Sequence, residues 1–120
     1  MNFYEYSQNN SGGSFDMDLG EYVYVQANDA EEANSIALNN GIYFDGVYYE
    51  RDCACCGDRW READNHDITP LERIFTKIKK VLSGDHNKIA IILHDEEIIS
   101  FEENDPNNQS NLDIFLERTK

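Results

Sequence analysis

Three cysteines fall within four positions of this chain: Cys53, Cys55 and Cys56. Gly57 follows them, and Asp52, Asp58, Arg59 and the single tryptophan, Trp60, bracket them. The C-x-x-C-G spacing of Cys53, Cys56 and Gly57 lets two thiolates reach one tetrahedral ion, with each sulfur about 2.3 Å from the metal. Zinc is the ion of that chemistry. A full site needs four ligands, and the chain has no second C-x-x-C. His66 is the best third ligand. The fourth comes from Cys55, Asp52, Asp58, His86 or His94, with Cys55 disfavoured because adjacent cysteines strain to meet one ion. Alternatively, two copies share one zinc through Cys53 and Cys56, giving a symmetric homodimer.

Two other readings stand beside the metal. A C-x-x-C pair can cycle between dithiol and disulfide, but such motifs favour a helix N-terminus that lowers the thiol pKa, and Gly57-Asp58 argues against a helix here. The third reading is packing: small thiols beside Trp60, with the neighbouring aspartates and arginines paired across a turn. Nucleophilic catalysis needs a base and an orienting group. His66 with Asp64 or Asp67 is the nearest approach, and it is not a constellation. No catalytic residue is assigned, and the chain reads as a non-enzyme.

A second candidate site is the polar stretch Asn9, Asn10, Ser11, Gly12 and Gly13. Loops of this composition form tight turns and can also present backbone N–H groups to an anion. Arg51, Arg59 and Arg61 carry all the lysine or arginine charge of the first 66 residues. A small anionic ligand, a nucleotide for example, would meet Asn9, Asn10, Ser11, Gly12, Asp45, Asp58, Arg59 and Trp60. The competing fate of these arginines is ion pairing with the many neighbouring acids.

At 120 residues the chain is long enough for one modest core, so one domain over residues 1–120 is expected. A hydrophobic fraction of 40% speaks against disorder. The net charge of −14 repels nucleic acids and anionic membranes at long range and attracts basic proteins. Residues 71–88 run against this trend, with Arg73, Lys77, Lys79, Lys80 and Lys88 facing only Glu72 and Asp85. No apolar run approaches a membrane span, and the start lacks the basic and apolar regions of a signal peptide, so a cytoplasmic protein with reduced thiols is expected.

These groups must be positioned by short elements. Strands are predicted over residues 2–6 and 20–27. A helix then runs from a cap at Asn28 or Asp29 to about Asn40, with Ala30, Ala33, Ile36 and Ala37 on its apolar stripe and Gly41 as its stop. Asp45-Gly46 between apolar runs predicts a hairpin, with strands at 42–44 and 47–50 and a further strand at 59–64. Thr69 caps a second helix, with Pro70 at its first position and Glu72 closing a capping box. Leu71, Ile74, Phe75, Ile78, Val81 and Leu82 form its core face, while Arg73, Lys77 and Lys80 line the opposite, solvated face. Residues 88–93 and 98–101 predict a hairpin, 105–110 a loop, and the end a short helix bringing Leu112, Phe115 and Leu116 to the core. The class is α+β: a small antiparallel or mixed sheet of about six short strands with two main helices on one face.

QNNSGGSF near the start, ANDAEEAN opening a helix, then GIYFDGV and DCACCGDRW together resemble a family of small, mostly uncharacterised proteins of tailed bacteriophages. The resemblance covers about residues 3–62, with 68–120 a helix-and-hairpin extension that completes the core. It implies a phage origin and the cytoplasm of an infected bacterium, it carries over no catalytic residue, and it groups the NNSGG loop, residues 43–47 and the cysteines as one site. The function expected is binding of a bacterial host protein, as a host-takeover or anti-defence factor. A small-ligand or nucleotide-binding domain and a DNA mimic are the alternatives.

Overall fold

Residues 1–9, 18–86 and 88–120 are described by the computed structural model; the candidate residues Asn10, Ser11, Gly12 and Gly13 lie outside them. Alternation along the strands explains the architecture. The described strands are β1 (Asn2–Ser7), β2 (Tyr22–Ala27), β3 (Ile68–Thr69), β4 (Lys88–Ile92) and β5 (Ile98–Glu102). They form one mixed sheet in the order β3-β1-β2-β4-β5. Only β2 and β4 run parallel, with Val23 opposite Ala90; the other neighbours are antiparallel. Tyr4, Tyr6, Val23, Val25, Ala90 and Ile92 point to one face, and Phe3, Tyr24, Ile89, Ile91, Ile99 and Phe101 to the other. Both sets are buried, so β2 and β4 read as apolar on both sides, as central strands do.

Each face has its own cover. Helix α1 (Ala30–Asn39) packs Ala30, Ala33, Ile36 and Ala37 on the first face, as its small-residue stripe predicts. Asp29 caps it, accepting from the Glu32 amide at 2.8 Å. Helices α2 (Leu71–Leu82) and α3 (Asn108–Arg118) cover the second face through Ile74, Ile78, Val81 and Phe115. The α+β class and its mixed sheet are as expected, but the helices divide between the two faces. The physical reason is that the second set of strand side chains is as apolar as the first and also needs cover.

Three local expectations fail for identifiable reasons. Thr69 does not cap α2: it pairs with Phe3 as part of β3, its hydroxyl bonds the Asp67 carbonyl, and Pro70 stands at the cap without a side-chain bond. Lys77 is not on a solvated face. It is 9% exposed, with its ammonium 4.1 Å from the centre of the Tyr22 ring, a cation–π contact. Finally, residues 42–64 hold no strand among the described residues. Instead of pairing with a strand, the backbone of Ala63 exchanges both its hydrogen bonds with the Asn34 side chain of α1, at 2.9 and 3.0 Å.

Candidate functional site: the cysteine turn and its braces

The long connection from α1 to β3 is laid over the first face of the sheet, anchored by Ile42, Trp60 and Ala63 in the core. Tyr43 and Phe44 pack against the same cluster, and the rest of the connection is held largely by polar bonds. Asp45 does enter the left-handed region, at φ 55°, but the Asp45-Gly46 hairpin needs positive φ at both residues and Gly46 does not have it. Glycine serves another purpose here. A Cβ at Gly46 would collide with the Asp52 carboxylate and come within 2.8 Å of the Tyr43 ring. The Gly46 carbonyl accepts from the Arg51 and Asp52 amides, at 2.7 and 3.0 Å.

Asp52 ties the segment together. Its Oδ1 accepts from the Tyr43 hydroxyl at 2.7 Å and its Oδ2 from the Arg59 amide at 2.8 Å. The Tyr43 hydroxyl is pushed up from its ordinary pKa by burial and by this bond, with Arg59 acting the opposite way. Asp58 accepts from the Val47 amide at 2.9 Å, and the Arg51 guanidinium lies 4.0 Å over the Tyr43 ring. From the other end of the chain, the Asn9 side-chain amide donates to the carbonyls of Cys56 and Asp58 at 2.8 and 3.4 Å. Its backbone N–H donates to Arg59.

Within these braces the cysteines form one tight turn. The Cys53 carbonyl accepts from the amides of both Cys56 and Gly57, and Gly57 adopts φ 86°. The Sγ atoms of Cys53 and Cys55 are 2.7 Å apart and those of Cys55 and Cys56 3.5 Å apart. All three lie within 4.8 Å of one another. Cys53 and Cys55 are exposed and Cys56 half-buried. The Cys53 thiol is held below its ordinary pKa, first by the hydrogen bond from the Cys55 side chain; Cys55 is pushed up to about 11 by the sulfurs of Cys53 and Cys56. The arrangement has the chemistry of a metal ligand set: three convergent thiols on a hydrogen-bonded turn, two of them exposed, that could hold one ion.

The ligand set is not the one the spacing suggests. Cys55 belongs to the group, because the turn puts its sulfur on the same side as that of Cys56. His66 does not: it is exposed on the turn from Asp64 to Asp67, where its amide bonds the Asp64 carboxylate. His86 faces Glu21 at 3.4 Å and His94 faces Glu32 at 2.9 Å. Among the second set of candidates, Asn9, Asp58 and Arg59 meet at the cysteine turn. Asp45 lies at the start of the same loop, exposed. Arg59 is engaged with the Gln8 side chain at 2.8 Å. Trp60 is 3% exposed and packs beneath α1, so its ring is a core contact and offers no stacking platform. A small cleft of about 130 Å³ beside Trp60 is lined by Asp18, Leu19, Asn40 and Gly41. Two larger open clefts, of about 370 and 420 Å³, lie at the β1–β3 edge, away from the thiols.

Sequence reasoning overlooked Tyr48 and Tyr49. They are 80% and 65% exposed, in edge-to-face contact at 4.9 Å, on the loop braced by Gly46 and Asp52. The consecutive tyrosines after Asp45-Gly46 were the available signal, hidden by assigning them to a strand.

Among the described residues no helix is long and apolar enough to cross a membrane. No curated protein and no solved structure matches the chain. A family model matches residues 1–106, across all five strands and the cysteine turn. On that match the chain belongs to the family described as Domain of unknown function (DUF7296).

Proposed function

We propose that this protein works without catalysis, as a small binding protein whose partner is a basic protein of a bacterial host cell infected by a phage. The observation that carries the reading is the exposed Tyr48–Tyr49 pair on a loop whose own bonds are internally satisfied. Tyrosine is enriched in interface hot spots because it supplies rigid, amphipathic area at small entropic cost. The chain's net charge of −14 attracts a basic partner at long range and disfavours nucleic acid. In this reading the neighbouring thiols hold zinc, which accepts thiolates without changing oxidation state and would fix the turn beside the tyrosines.

The test is affinity capture from bacterial lysate at low and high salt, followed by purification of the captured protein and direct titration. The full chain should bind it with a Kd that weakens with salt. Tyr48→Ala with Tyr49→Ala should weaken binding at least about tenfold, or roughly 1.4 kcal/mol. A wild-type protein that recovers no saturable partner, or a double variant that binds equally well, would sink the reading. A nucleotide panel in thermal shift addresses the small-ligand alternative, since a pure protein binder should show no shift.

A further inference from the structure

The geometry points to a metal site in which Cys53, Cys55 and Cys56 hold one thiophilic divalent ion through three thiolates, with the fourth tetrahedral position left to a ligand from outside the chain. This deepens the zinc reading above by naming the ligand set and the open position.

Three observations support it. First, among the described residues this trio is the only group of three or more His, Cys, Asp and Glu whose ligand atoms converge. The two nearby carboxylates are engaged elsewhere, Asp52 with Tyr43 and Arg59 and Asp58 with Val47. Second, the turn is preorganised. Cys53 accepts two backbone amides, Asn9 holds the Cys56 carbonyl, and Asp52 fixes the entry to the turn. A site so braced loses little freedom when it closes on an ion. Third, the sulfurs face solvent, so a fourth ligand has room to arrive. Structural zinc sites close themselves with four protein ligands, whereas sites that exchange or activate a ligand keep one position open.

The distances fit with one small adjustment. Two sulfurs on a tetrahedral ion at about 2.3 Å stand about 3.8 Å apart. The Cys55–Cys56 pair is already at 3.5 Å, and Cys53 opens from 2.7 Å by roughly 1 Å, a rotation about χ1 of an exposed side chain. Ion binding displaces the three S–H protons, forms three metal–sulfur bonds and leaves one water in the fourth position. The ion–thiolate unit then carries one net negative charge. The acidic surface raises the local concentration of a cation.

The experiment uses the full reduced chain, anaerobic and metal-free, titrated separately with Zn(II) and Cd(II). Readouts are native mass spectrometry, Cd–thiolate absorption, proton release and X-ray absorption of the bound metal. Expected are one ion per chain, a shell of three sulfurs and one light atom, and replacement of that light atom by added imidazole. Cys55→Ser should reduce the sulfur count to two and weaken binding at least about tenfold, since loss of a group that merely supports a ligand already costs about 10–100-fold. His66→Ala should change neither. Far-UV circular dichroism establishes that both variants fold. Cadmium binding through three sulfurs without zinc binding would support this site and overturn the zinc reading. Four sulfurs with one ion per two chains, a histidine or carboxylate fourth ligand unmoved by imidazole, a Cys53–Cys55 disulfide in the anaerobic protein, or no ion bound would each overturn the proposal. None of these results depends on finding the protein partner, so failure of one reading leaves the other measurable.

Discussion

The side chain of Asn9 reaches across 47 residues of sequence to the carbonyl of Cys56, at 2.8 Å. The segment that follows the first strand thereby holds the exit of the cysteine turn, while Asp52 holds its entry. Asn9→Ala should cost about 1 kcal/mol, the net worth of a hydrogen bond in this setting. It should also speed hydrogen exchange at the amides of Cys56 and Gly57, which close the turn on Cys53. Unchanged exchange at those two amides would mean the turn stands without Asn9.

Gly46 and Asp52 occupy one space. Gly46→Ala forces its methyl against the Asp52 carboxylate and should destabilise by about 1–3 kcal/mol, as overpacking does. Asp52→Ala leaves the Tyr43 hydroxyl and the Arg59 amide without their acceptor and should cost a similar amount. The double variant should cost clearly less than the sum of the two, because removing Asp52 makes room for the methyl. Urea unfolding of the four proteins measures this; strict additivity would show that the two positions do not conflict.

Acid should weaken the pairing of β1 with α2. Burial raises the Glu5 carboxyl, but hydrogen bonds from Arg73 and Tyr24 together with the nearby positive charge outweigh it, so the folded value lies below the ordinary 4.5. The unfolded chain then takes up this proton at a higher pH than the native protein. The contribution is complete above about pH 4.5 and is lost as pH falls through the folded value beneath it. Glu5→Gln should lose less stability than wild type between about pH 6 and pH 3. Parallel acid profiles would remove Glu5 from the account.

Thiol chemistry should be unequal across the trio. In the metal-free protein Cys53 is the more ionised thiol and Cys55, at about 11, the less, although both face solvent. Iodoacetamide near pH 8 should label Cys53 roughly ten times faster than Cys55, since the thiolate is the nucleophile. Peptide mass spectrometry after brief exposure reads the ratio. Equal labelling would show that the sulfurs do not share their protons.

Much of the fold was legible where one demand governs a residue. The apolar runs of β4 and β5, the small-residue stripe of α1 and the periodicity of α2 have a single use, and each forms as its pattern implies. The misreadings fall on residues with two uses. Thr69 and Glu72 fit a capping box, but Thr69 is claimed by β1 through Phe3. Gly46 follows Asp45 as hairpin glycines do, yet its missing side chain makes room for Asp52, a contact no local pattern reveals. Lys77 sits on the charged side of α2 by periodicity and is covered by Tyr22. The cysteine trio was visible as a site, but its ligand set depended on a turn geometry that Cys53, Cys56 and Gly57 settle only when folded.

At the far edge of the sheet, two asparagines of α3 do the work of a missing strand. Asn108 exchanges two hydrogen bonds with the backbone of Glu102, at 3.3 and 2.8 Å, and Asn111 donates to the Ser100 carbonyl at 2.9 Å. Helix α3 thus occupies backbone groups that would otherwise template another chain. The family match stops at residue 106, just before that helix begins. Any chain ending there would bare the outer side of β5 together with the apolar seat of Phe115 between Phe3 and Phe75. The first two turns of α3, from Asn108 to Phe115, therefore act as a built-in edge guard, and their loss would leave the outer side of β5 open to pairing with another strand.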